Sequence, residues 1–156
     1  MNISPKGLEL YKRLEGGFRP YPYRCSAGKL TIGWGHVILP HENFTEITLD
    51  EGLRILKEDI EKHERDLKRL LPESCLSKLK QNQYDALVIF IMNVGYNSDL
   101  VKSNMVKYLK IGAYEHAIDY WKQWINEKDE KTKQLVPSLG LINRRNAEIA
   151  LFKSAS

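Results

Sequence analysis

Between Thr48 and Leu71 the apolar residues Leu49, Leu53, Leu56, Ile60, Leu67 and Leu71 recur at helical spacing. That stripe predicts an amphipathic helix with one buried face. Thr48-Leu49-Asp50-Glu51 has the form of a capping box, in which threonine and glutamate each satisfy an orphan backbone N–H. Pro72 ends the helix. Glu58 with Lys62, Glu61 with Arg65, and Glu64 with Lys68 are spaced as i,i+4 ion pairs for the opposite face. At 1.5 Å per residue the helix spans about 35 Å, enough to connect two lobes.

The pattern differs on either side. Ser4-Pro5 starts a short helix with Leu8, Leu10, Tyr11 and Leu14 on its apolar positions. Gly16-Gly17 stops it, which puts Glu15 at its end. Residues 16–47 then alternate glycine and proline with β-formers, and Lys29 to Ile32 reads as a strand after a turn. After Pro72 the chain is helical. Ala86 to Met92 is apolar on every side, as a buried central helix ending near Gly95 would be. Further helices are expected from about Ser103, from Ala113 to Ile125, and from Ser138 to about Phe152. Residues 126–136 read as a charged loop. The predicted fold class is α+β in a single domain: a small β lobe at about 16–47, a connecting helix at about 48–71, and a helical lobe at about 72–156 that includes the N-terminal helix. A cleft between the lobes is the expected site.

Composition narrows the partners. The 156 residues are 42% hydrophobic and 28% charged, with 24 basic against 20 acidic residues, a net charge of +4. Such a chain folds around a core and favours an anionic partner. Its basic residues are interleaved with acids rather than gathered in a stripe, which argues against nucleic acid. The longest apolar run is far short of the roughly 20 residues of a membrane span, so no membrane insertion is expected. The first residues lack the apolar segment of a signal peptide, so the reading is cytoplasmic. Cys25 and Cys75 are then expected to be free thiols. The scattered histidines and cysteines have no zinc spacing, and neither a metal nor another cofactor is expected.

The densest chemistry lies between Glu15 and His36. It combines an acid at a helix end, a thiol at Cys25 and a threonine at Thr31, running into Thr31-Ile32-Gly33-Trp34-Gly35-His36. Further on stand Gln83-Tyr84-Asp85-Ala86-Leu87, then Asn93-Val94-Gly95, then Gly140-Leu141-Ile142-Asn143-Arg144-Arg145-Asn146-Ala147-Glu148. In these motifs, in this order, the sequence resembles the phage-type lysozymes (endolysins) of the T-even phage lysozyme superfamily. The family spaces its glutamate eight residues from an aspartate or cysteine. Here nine residues separate Glu15 from Cys25, and the extra one falls at Gly16-Gly17, where glycine tolerates a bulge.

The resemblance implies a lysozyme-like fold and a muramidase cleaving the β-1,4 bond between N-acetylmuramic acid and N-acetylglucosamine in peptidoglycan. Glycoside hydrolysis needs a proton donor and a second group that activates water or attacks the sugar. The catalytic candidates are Glu15 as acid, Cys25 as base and Thr31 as the residue holding water. Val37, Met92 and Asn93 are expected to line the substrate groove. His36 is expected to be structural, paired with Asp59, and Arg144, Arg145 and Glu148 to form a structural ion network. Trp121 and Trp124 are expected in the core or on the lobe surface. By the same resemblance the protein is expected to act as a monomer, to accumulate in the host bacterial cytoplasm, and to need a holin to reach the wall at lysis. Two other readings compete: a non-catalytic peptidoglycan-binding homologue and a lytic transglycosylase.

Overall fold

A computed structural model describes residues 1–155. Helix α1 (Pro5–Leu14) starts as its sequence requires. The Ser4 side chain accepts from the Gly7 N–H, proline fills the first turn, and Glu15 is the C-cap. The chain then enters an antiparallel sheet in the order β1 (Arg19–Arg24), β2 (Leu30–Gly33) and β3 (His36–Val37). Gly16 and Gly17 take φ values of +80° and +98°, a left-handed pair that only glycine adopts readily. A second irregularity follows between Arg19 and Tyr23, where the β1–β2 register shifts. Pro20 and Pro22 lie in this segment and have no N–H to lose from the ladder.

Helix α2 (Leu49–Leu70) carries the full capping box at Thr48 and Glu51. Ile55 packs into a small β-lobe core with Ile32 and Ile47, whereas Leu56, Ile60 and Leu67 enter the core of the helical lobe. One helix therefore belongs to both cores. Gly52 makes this possible, since a Cβ there would stand 2.5 Å from the Phe18 ring. Three features differ from the sequence reading. Leu49 and Leu53 are exposed, because the buried stripe at the start of the helix runs through Gly52, Ile55 and Leu56. Glu64 is buried, and it accepts the hydroxyl of Tyr84 instead of facing Lys68. The ion pairs on α2 are Arg54–Glu58 and Arg69–Asp66, not the three expected ones.

The helical lobe is built on α4 (Gln81–Val94), whose residues Ala86 to Ile91 are all buried. Short helices α3 (Glu73–Leu76) and α5 (Ser98–Val101) flank it and have no clear periodic signal at that length. Then come α6 (Asn104–Lys110) and α7 (Tyr114–Trp121). Strands β4 (Asn126–Lys128) and β5 (Leu135–Pro137) precede α8 (Leu139–Lys153). The expected loop at 126–136 is thus a β-hairpin, and α7 stops short of Ile125. Its turn is held by polar contacts that no apolar alternation announces: Asp129 Oδ1 accepts from the backbone of Lys131 and Thr132, and Lys133 adopts φ +61°.

Helix α4 also anchors the chain ends. The Asp85 carboxylate accepts from the backbone and side chain of Ser4 at the start of α1, where helix N–H groups favour an anion. Asn82 Nδ2 donates to the carbonyls of Leu151, Phe152 and Ser154, satisfying orphan groups at the end of α8. The helix bearing Glu15 is therefore fixed to the helical lobe, although its sequence precedes the β lobe.

Candidate functional site

Glu15 ends α1 with its side chain in the cleft. Its backbone N–H still completes the helix by bonding to the Tyr11 carbonyl at 3.0 Å. The carboxylate packs on the backbone of Gly35, so closely that a Cβ there would lie 2.6 Å from Glu15 Cδ. Gly35 also has φ +76°, a second reason for glycine. Arg144 Nη2 reaches Glu15 Oε1 at 2.9 Å, and both side chains are mostly buried. The same nitrogen donates to the Leu14 carbonyl at 3.2 Å. One helical turn below, the buried Tyr11 hydroxyl donates to the Trp34 carbonyl at 3.0 Å. Burial first, and then the Glu15 charge, push the Tyr11 phenol well above its ordinary range. Tyr11 is thus a fixed, neutral donor that joins α1 to the backbone next to Gly35.

Cys25 follows β1 as the first residue of a tight turn. Its carbonyl accepts the Gly28 N–H at 2.8 Å, and its own N–H donates to the Lys29 carbonyl at 3.0 Å. It is a free, half-buried thiol. Thr31 lies on β2 opposite Tyr23 and is 2% exposed. Its hydroxyl donates to the same Lys29 carbonyl at 2.8 Å, which leaves its oxygen lone pairs free to accept. One carbonyl thereby ties the thiol-bearing turn to the threonine-bearing strand.

A cleft of about 1220 Å³ joins these groups. Glu15, Cys25, Thr31, Val37, Met92 and Asn93 all line it, as do Arg144, Arg145 and Trp124. Its remaining charged lining is mostly basic, with Arg13, Arg19, Arg24, Lys29 and Lys128 against Asp99 and Glu127. Trp121 is fully buried, and its indole donates to Glu148 at 3.0 Å.

The arginine motif divides its work. Arg145 and Glu148 form a buried pair at 2.8 Å, and Arg145 donates to Asn93 Oδ1 at 2.7 Å. That contact fixes the Asn93 side chain at the end of α4. Arg144 leaves the expected network and turns to Glu15. Spacing within α8 offers it only Glu148, and the tertiary fold, which brings Arg144 to the end of α1, gives it Glu15 instead.

His36 lies outside the cleft lining. Its Nδ1 stands 2.9 Å from Asp59 and its Nε2 2.8 Å from Glu42. The hydrogen bond to Asp59, opposed by partial burial and aided by Glu42, pushes the imidazole up to about 9. Glu42 also accepts the Leu39 N–H, so the charged histidine braces the loop after β3. Sequence reading missed Glu42, Tyr11 and the role of Gly35. Tyr11 was accessible, since it precedes Glu15 by one helical turn; Glu42 sits in a loop with no period to reveal it.

Two lobes, a spanning helix and a glycan-sized cleft with a helix-end glutamate define the lysozyme class of fold. A family profile described as phage lysozyme matches residues 12–148. An endolysin of Acyrthosiphon pisum secondary endosymbiont phage 1 is 38% identical, covering 99% of this chain and 100% of that protein. Among solved structures, the endolysin from Escherichia coli O157:H7 phage FAHEc1 superposes with a TM-score of 0.82 at 27% identity, covering 98% of this chain and 94% of that one. The muramidase domain of SpmX from Asticaccaulis excentricus gives 0.80 at 27% identity and 99% coverage of both chains. The chain belongs to the phage lysozyme family, and it is a peptidoglycan-lytic hydrolase.

Proposed function

We propose that the protein is an endolysin muramidase that hydrolyses the β-1,4 bond between N-acetylmuramic acid and N-acetylglucosamine, with Glu15, Cys25 and Thr31 as its catalytic residues. The convergence of Glu15, Cys25 and Thr31 on one cleft carries this reading. Glu15 protonates the leaving glycosidic oxygen. Thr31 accepts a hydrogen bond from the attacking water, and Cys25 is the base that takes the water's proton. The lone pairs left free on Thr31 support water attack over direct attack by sulfur. Val37, Met92 and Asn93 contact the sugar. His36, with Asp59 and Glu42, holds the loop beyond the motif, and Arg145 with Glu148 holds Asn93.

The basic lining suits an anionic wall polymer, and attraction between exposed charges predicts weaker lysis at high salt. Among the described residues no helix is long and apolar enough to cross a membrane. In the proposed cycle the protein is a monomer that accumulates in the host cytoplasm and reaches the wall through a holin. Mass spectrometry of digested peptidoglycan tests the reaction. Reducing muramic acid ends, absent with Glu15→Gln, are expected. Anhydro ends would instead mark a lytic transglycosylase, and binding without any product a non-catalytic homologue.

A further inference from the structure

The β4–β5 hairpin rises from the helical lobe between α7 and α8, with its base closed by a 2.8 Å hydrogen bond from Ser138 to the Ile125 carbonyl. Its strand residues Asn126, Glu127, Lys128 and Leu135 form part of the cleft wall. Its tip reaches the opposite lobe. A Cβ on Gly28, in the turn that follows Cys25, would stand 3.6 Å from Glu130 Oε1. The two lobes therefore approach each other at a second place, away from α2.

The tip holds its own shape. Asp129 donates to the Gln134 carbonyl and accepts from Lys133, both at 2.8 Å, while its side chain accepts two more backbone N–H groups. Among the described residues no hydrogen bond or ion pair joins the hairpin to the β lobe. A preformed arm thus stands beside the facing turn with no bond to hold it there, so the arm can lift and return. Leu135 lines the cleft yet is 72% exposed, leaving apolar surface on the inner side of the arm where a sugar ring can pack.

We propose that this hairpin is a strap across the cleft that retains a long glycan strand beside Cys25 and sets a preference for polymer over short oligosaccharide. The proposal rests on the muramidase reading for its substrate. A strand lying under the strap leaves only by sliding out or by lifting the tip, so the next bond along stays at high effective concentration. A short oligosaccharide gains little from this.

The test replaces Asp129–Gln134 with Asn-Gly, which closes the Lys128–Leu135 pair with a two-residue turn and removes the tip. The ratio of kcat/KM on glycan strands to kcat/KM on a muramyl tetrasaccharide should fall about tenfold, through KM. In a Glu15→Gln background the same replacement should speed release from isolated sacculi about tenfold. Glu130→Gly removes only the side chain that meets Gly28 and should act in the same direction by about threefold, which keeps the test open should the shortened hairpin fail to fold. Cleavage with an unchanged ratio and unchanged release would overturn the strap. Hairpin-dependent release without any cleavage would leave the strap standing and remove the muramidase.

Discussion

Glu15 and Cys25 face one cleft from walls held in different ways. Behind Glu15, α1 is clamped at its start by Asp85, the carboxylate rests on Gly35, Arg144 pairs with it, and Tyr11 ties the helix to Trp34. Behind Cys25 there is a four-residue turn, one carbonyl shared with Thr31, and the unbonded approach of Glu130 to Gly28. Contacts from three separate elements fix Glu15, while the chain leading to Cys25 turns through the left-handed Gly16-Gly17 pair and shifts register within β1. The Cys25 wall is the one with fewer supports.

The largest effect should come from the braced wall itself. Glu15→Gln keeps the shape of the side chain and removes its proton, so lysis of peptidoglycan should fall about 1000-fold with the fold intact, as read by turbidity and circular dichroism. Full activity would remove Glu15 from the mechanism. Gly35→Ala attacks the brace. The new methyl occupies the space of the carboxylate at an unfavourable φ, and activity should drop about 100-fold with roughly 1–3 kcal/mol of stability lost. A fully active Gly35→Ala chain would show that Glu15 needs no such seat.

On the looser wall, Cys25→Ser removes an ionisable group and should lower activity about 100-fold, the low end of the range for a lost general base. Cys25→Asp, the commoner residue of the family, should restore it to within about tenfold of the parent. If serine and cysteine perform equally, the thiol is not the base. The smallest effect on turnover should come from His36→Asn. A histidine raised to about 9 contributes stability that is fully present below its unfolded value near 6.5 and is lost as pH rises through 9. The variant should therefore be about 3 kcal/mol less stable at pH 6, with the gap closing by pH 10, while each folded molecule remains active. A gap independent of pH would mean that packing, not charge, is what His36 supplies.

Much of this was legible in order of sequence range. Helices α1, α2 and α8 announced themselves through caps and apolar positions at helical spacing, and α4 through a run that is apolar on every side. The motif around Thr31 marked a stretch that does lie on the cleft. What escaped depends on tertiary neighbours or on polar turns. Glu64 reads as a solvent-facing acid until Tyr84 arrives from α4. Arg144 cannot be assigned to Glu15 from spacing inside its own helix. The hairpin at 126–137 is organised by Asp129 and Lys133, so its charged residues concealed a strand pair.

Helix α4 holds one more consequence at its first turn. Gln81 donates to the Asn2 carbonyl at 2.8 Å, and its neighbour Asn82 holds the carbonyls of Leu151, Phe152 and Ser154. Two segments from opposite ends of the described chain thus converge on adjacent residues, and the backbone is nearly a closed ring. As the chain is now ordered, Arg144 must find Leu14 across a separation of 130 residues, a late and entropically costly closure. A circular permutant that joins the end of α8 to the start of α1 would turn that encounter into a local one. It would let the Glu15 wall assemble with the helical lobe before the β lobe has formed.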